Sequence, residues 1–152
     1  MKILLATDGS KHSEKAIEMV SNFAFPAPSE IKIISIIDMA LPLTLDIYGS
    51  GYVPPTVEIE NTARENALKV LENTMQKLIE KLSAENVTIT TEVLIGSPES
   101  RIVETAEKIN ADLIVVGSHG YNRWERLLLG SVSDSVAHHA PCSVLIVRTP
   151  KE

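Results

Sequence analysis

The sequence predicts an α/β fold built on one open, five-stranded parallel sheet. Two observations carry this. Short apolar runs rich in Ile, Val and Leu, each stopping at a polar or glycine residue, alternate with stretches whose apolar residues recur every three or four positions. Strands separated by helical patterns make βαβ units, which pair in parallel through right-handed crossovers and carry helices on both faces of the sheet. Size agrees: 152 residues are enough for a single domain, 1–152, with a proper core, and 44% hydrophobic against 22% charged residues is ordinary for a globular chain.

Ile3 to Ala6 is the first strand, stopped by the turn-favouring Thr7-Asp8-Gly9-Ser10. Ser13 then leads a helical pattern with Ala16, Ile17, Val20, Phe23 and Ala24 on one face, ended by Pro26 and Pro28. Ile31, Ile33, Ile34, Ile36 and Ile37 form a β-branched second strand that closes at Asp38. Residues 39–56 differ in texture, with Gly49, Gly51 and Pro54-Pro55, and are expected to be a flexible flap.

A long helix is expected from about Val57 to Ala84, with Ala63, Ala67, Val70, Leu71, Met75, Leu78, Ile79 and Leu82 as its core stripe. Val87, Ile89, Thr91, Val93 and Ile95 alternate as a third strand near a sheet edge. Gly96-Ser97-Pro98 opens the next helix, with Ser97 as cap, Pro98 in the first position, and Ile102, Val103, Ala106 and Ile109 facing the core. Leu113 to Val116 is the fourth strand and ends at Gly117. Val132 to His139 is the last helix, and Ser143 to Val147 the fifth strand.

The stretch 112–133 is where chemistry concentrates. Gly117 and Gly120 bracket the turn after the fourth strand, and nine residues later Gly130-Ser131 opens a helix. Glycines there allow close backbone approach, and a helix start offers unpaired N–H groups, a hydroxyl and the positive end of the helix dipole. Together these make a phosphate cradle. The plain alternative is ordinary turn glycines, with Ser131 as an N-cap and Asp134 three residues on. Asp8, likewise, either tightens its own turn or faces a ligand.

The spacing Gly-x2-Gly-x9-Gly-Ser resembles the nucleotide-binding signature of the universal stress protein family. So do the start Met1–Ser10, the stretch Ile36-Ile37-Asp38, the segment Gly96-Ser97-Pro98 and the ending Pro141–Arg148. The resemblance implies a Rossmann-like strand order 3-2-1-4-5, which puts the first and fourth strands side by side at the topological switch point, where open α/β sheets bind ligands. It implies that ATP is held there, with ADP or AMP as alternatives, and Mg²⁺ or Mn²⁺ carried through the phosphates. Main-chain groups of Ala6 and Thr7 would lie beside adenine, with Ile36 against the ring and Val116 bordering base or ribose. Asp8 would accept from the ribose or assist a metal ion. Gly117, His119, Gly120, Gly130, Ser131, Val132 and Ser133 would surround the phosphates, with the hydroxyls of Ser131 and Ser133 as donors.

Function follows in the same terms: a nucleotide-dependent stress-response regulator or sensor without efficient catalysis. The alternatives are a slow ATP hydrolase and a nucleotide-independent dimeric stress protein. Hydrolysis lacks support, because the phosphate loop has no lysine and no Gly-x4-Gly-Lys-Ser/Thr sequence exists. A phosphoacceptor receiver domain would need an aspartate ending the third strand, where Leu94-Ile95-Gly96-Ser97-Pro98 stands. A dinucleotide domain would need Gly-x-Gly-x-x-Gly after the first strand, where Asp8-Gly9-Ser10-Lys11-His12-Ser13 stands.

Remaining features weigh less. Arg123 and Arg126 suit a basic surface turn or a phosphate contact. His138, His139 and Cys142 do not make a convincing metal set, since adjacent helical histidines diverge and each has a helix-end reason of its own. A net charge of −6 with no Lys/Arg tract argues against nucleic acid. One cysteine and the lack of a long apolar run suggest a cytoplasmic, non-membrane protein. The family resemblance further implies a homodimer through the apolar edge strand 143–148, and residues 39–56 are the expected surface for a protein partner.

Overall fold

The computed structural model describes residues 1–38, 57–82, 87–118 and 129–148. Among the described residues nine elements alternate: β1 (Lys2–Ala6), α1 (Lys11–Ser21), β2 (Ser29–Ile37), α2 (Val57–Lys81), β3 (Val87–Ile95), α3 (Pro98–Ile109), β4 (Leu113–Gly117), α4 (Ser131–His139) and β5 (Ser143–Val147). The strands form one sheet in the order β3-β2-β1-β4-β5, every pair parallel. This is the expected architecture.

Strand alternation sorts the core into two layers. Ile3, Leu5, Ile31, Ile33, Val115 and Val147 face one side, where α1 contributes Ala16, Ile17 and Val20, α2 contributes Leu71 and Leu78, and Leu82 follows just past its end. Leu4, Ile34, Ile114 and Val116 face the other, against Ile102 and Ala106 of α3 and Val136 of α4. The innermost strands are buried on both faces, which is why β1 and β4 read as continuous apolar runs. Each wholly buried Ile or Leu here contributes about 1.5–3 kcal/mol of transfer free energy.

Three helix boundaries and one helix face differ from expectation. α1 begins at Lys11 rather than after Ser13, because Ser10 is its N-cap and accepts from the Ser13 N–H. It ends at Ser21, well before the prolines, because the Ser21 hydroxyl and the Asn22 amide both turn back to the Glu18 carbonyl. Phe23 and Ala24 therefore lie beyond the helix, and Phe23 is 39% exposed, edge-on to Phe25. On α2 the buried row is Ala67, Leu71, Thr74 and Leu78. Ile79 is one residue further, about 100° round the helix, and is 47% exposed rather than in the core. α2 ends at Lys81, and Ala84 lies outside the described residues.

β3 is an edge strand as expected, exposed at Thr88, Thr90 and Thr91 and tied to β2 by a Lys32–Glu92 ion pair of 2.6 Å. β5 is the other edge, with Val144, Leu145 and Ile146 only half-buried. No helix among the described residues is long and apolar enough to cross a membrane. Residues 39–56, the expected flap, lie outside the described residues.

Candidate functional site

β1 and β4 are hydrogen-bonded neighbours, and their chains leave in opposite directions. From β1 the chain passes to α1 on one face; from β4 it passes to α4 on the other. The carboxyl ends of these strands bound the crevice in which such sheets hold ligands.

The loop after β1 is satisfied from within. The Ser10 N–H donates to Asp8 Oδ1 at 2.9 Å, and the Gly9 N–H to Thr7 Oγ1 at 3.3 Å. The Thr7 hydroxyl meets the Ser13 hydroxyl at 3.1 Å, and both residues are buried. Gly9 sits at φ +76°, where a side chain is disfavoured. Thus Asp8 does tighten its own turn, while remaining exposed at the rim. The Thr7 side chain is committed to the start of α1, and its N–H is taken by the Ile34 carbonyl at 3.0 Å. That hydrogen bond removes the Thr7 N–H from the main-chain contacts the sequence suggests.

The loop before α4 is built in the opposite way. Gly130 is the N-cap, with extended backbone (φ −63°, ψ 152°), and no side chain among the described residues caps the helix. Ser131 is the first helical residue and exposed, so it is not the N-cap of the plain alternative, and Asp134 does not close a capping box. The N–H groups of Ser131, Val132 and Ser133 lack intrahelical acceptors by the geometry of any helix start. α3 also lacks a side-chain cap, but its first residue, Pro98, has no N–H to leave unpaired.

Ser133 does not match its expected role as a hydroxyl donor to phosphate. It is 2% exposed, and its hydroxyl lies 3.0 Å from both the Ser118 and the Gly130 carbonyl oxygens, to which it donates. The exposed Ser131 remains as the serine hydroxyl at the rim.

Between the two loops lies an apolar floor. Ala6, Ile36, Val116 and Val132 all join the core layer on the α3/α4 side, with Val116 buried and the other three half-buried. Gly117 faces the opposite way. A Cβ there would lie 2.9 Å from His12 C and 3.0 Å from His12 O and Ser13 N, so its missing side chain serves the approach of α1. His119, Gly120, Arg123 and Arg126 lie outside the described residues.

His138 and His139 each place Nδ1 2.8 Å from the carbonyl four residues back, on Asp134 and Ser135, and so bind their own helix. Among the described residues no group of three or more His, Cys, Asp or Glu is placed to hold a metal ion. Burial first, and then the charge of Asp112, pushes the Cys142 thiol above its ordinary pKa, which suits a packing residue. Two features escape the sequence reading. One is Ser118, whose importance lies in its backbone. The other is a groove of about 330 Å³ between α1 and α2, lined by Thr7, Gly9, Ile17 and Val70, with the Glu14–Lys77 ion pair of 2.9 Å among its lining residues. No sequence pattern marks either, because both arise only when distant elements pack.

A model of the universal stress protein family matches residues 1–148. The chain belongs to this family. As a universal stress protein it is 38% identical over 152 residues to universal stress protein MJ0531 of Methanocaldococcus jannaschii, covering 99% of this chain and 84% of that one. Its fold is similar to that of the hypothetical protein MJ0577, a solved structure (TM-score 0.74, 26% identity, 99% of this chain and 97% of that chain). It also resembles a universal stress protein solved in complex with cAMP (TM-score 0.70, 23% identity, 99% of this chain and 98% of that chain). That likeness concerns the fold.

Proposed function

We propose that this universal stress protein binds an adenine nucleotide, ATP first, at the β1–β4 switch point, and acts as a nucleotide-responsive stress regulator without efficient turnover. The observation that carries the reading is the uncapped start of α4, set at the end of β4 beside an apolar floor. Open N–H groups at the positive end of a helix favour an anion, and a flat apolar patch favours a base. The residues present fit a nucleotide. Ala6, Ile36 and Val116 would receive adenine and its flank, Asp8 the ribose hydroxyls, and Ser131, Val132 and Ser133 the phosphates through their N–H groups, with Gly130, whose own N–H is held by the Ser118 carbonyl, allowing their close approach. Gly117, His119 and Gly120 would complete the phosphate loop, as the family signature implies. Mg²⁺ or Mn²⁺ would travel with the phosphates and offset the exposed carboxylate of Asp134.

The fold alone does not imply a ligand, and a relative of 23% identity holding cAMP supports only that such a scaffold accommodates an adenine nucleotide. The case for this chain rests on its own residues. The family reading extends to a homodimer through the open β5 edge, residues 143–148; the single cysteine and the lack of a long apolar run support a cytoplasmic place, and residues 39–56 would face a protein partner.

Calorimetric titration with ATP and Mg²⁺ tests the site, beside a Ser131→Pro variant. Proline suits the first helical position, as Pro98 shows in α3, and the extended Gly130 before it is compatible. The substitution removes one N–H and one hydroxyl while keeping the helix. Wild type should bind saturably, and the variant at least ~10-fold more weakly, as expected when hydrogen bonds to a charged group are lost. Equal binding by both would refute the placement of the phosphates, and no binding by wild type would refute the nucleotide itself.

A further inference from the structure

The Ser118 carbonyl receives two hydrogen bonds, from the Gly130 N–H at 2.9 Å and from the Ser133 hydroxyl at 3.0 Å. Ser118 directly follows β4, and Gly130 directly precedes α4. The two ends of the β4–α4 connection are therefore held at one oxygen atom. Both serines are 2% exposed, so the contact is shielded from competing water. The Ser133 hydroxyl also reaches the Gly130 carbonyl at 3.0 Å, binding the N-cap residue to the first turn that follows it.

From this we infer that Ser133 is a positioning residue. Its hydroxyl fixes where the start of α4 sits relative to β4, and so aims the N–H groups of Ser131, Val132 and Ser133 itself; the hydroxyl does not contact the ligand. The inference rests on the nucleotide reading above and assigns a division of labour within it. Donors at a helix start are effective toward an anion when held in place before it arrives. Without the hydroxyl, the first turn of α4 loses its direct bond to the Ser118 carbonyl, and the Gly130 N–H, one residue before the helix, is left to make that contact. The start of α4 is then less firmly held, whereas Ala6, Ile36 and Val116 stay on three strands.

The loss on removing the hydroxyl should therefore fall on phosphate and spare the base. The test compares wild type with Ser133→Ala, Ser133→Thr and Ser133→Val, with ATP binding read by calorimetry and adenosine binding by amide shifts in NMR. Ser133→Ala should weaken ATP roughly tenfold and leave adenosine unchanged, and threonine should restore ATP binding where valine, of the same shape, does not. Ser133→Ala binding ATP like wild type would overturn the inference while the nucleotide reading stands. Equal losses toward ATP and adenosine would overturn it in favour of a general packing role. Should alanine prevent folding, the threonine–valine pair decides alone. Absence of ATP binding by wild type would overturn both the inference and the reading beneath it.

Discussion

Gly117 is required by backbone contact rather than by backbone conformation. Its φ is not in the left-handed region, yet a Cβ would meet the main chain of His12 and Ser13 at 2.9–3.0 Å. Those are backbone atoms of a packed helix and cannot rotate aside. Gly117→Ala should therefore cost about 1–3 kcal/mol by overpacking, read as a lower urea midpoint with an unchanged slope; an unaltered midpoint would contradict the close approach. Cys142 offers a second check. Burial and the Asp112 carboxylate both disfavour its thiolate, so its labelling by a thiol reagent should rise with pH at a midpoint above that of a free cysteine. A midpoint at or below the ordinary value would refute the shielding. At this scale the sequence conveys residue type well and purpose poorly. Gly117 was legible as a glycine at a strand end, but the reason for it is a helix more than a hundred positions earlier in the chain. Ser133 was legible as a hydroxyl near a helix start, but its acceptor, Ser118, is brought to it only by the closed connection.

Helices α1 and α4 begin at neighbouring strand ends and are finished differently. α1 is capped by Ser10 and backed by Thr7, Asp8 and Ser13; α4 starts on a glycine with no cap. Ser10→Ala should destabilise the fold by about 0.5–2 kcal/mol, the range for losing an N-cap side chain, measured by chemical denaturation. A change near zero would show that the 3.3 Å bond to the Ser13 N–H contributes little. Element order and type were readable because helix and strand periods differ and the central strands are apolar on both faces. Ends were less readable. The apolar face of α1 continues on paper to Phe23, but the side chains of Ser21 and Asn22 turn back to the Glu18 carbonyl and the helix stops at Ser21. On α2, Ile79 fits a broad apolar stripe, yet the sheet touches only the narrower row through Leu71 and Leu78.

For the whole molecule, strand order was the one architectural fact that periodicity could not supply. It came from the resemblance in the motifs at the strand ends, and the sheet has that order. The order leaves β3 and β5 as edges. β3 is screened by exposed threonines and the Lys32–Glu92 pair, whereas β5 presents half-buried Val144, Leu145 and Ile146. An apolar open edge invites pairing with a second strand. Light scattering on the eluted protein should give the mass of two chains at micromolar concentration; the mass of one chain would defeat the β5 dimer.

Ser118 ties this edge to the helix start. Its N–H donates to the Val147 carbonyl of β5 at 2.8 Å, while its own carbonyl holds Gly130 and Ser133. Only the φ and ψ of one residue separate those two attachments. Beside the packing of Val136 with Val144 and Ile146 in one core layer, edge strand and helix start thus share one joint, and a partner strand that tilts the edge would load the start of α4.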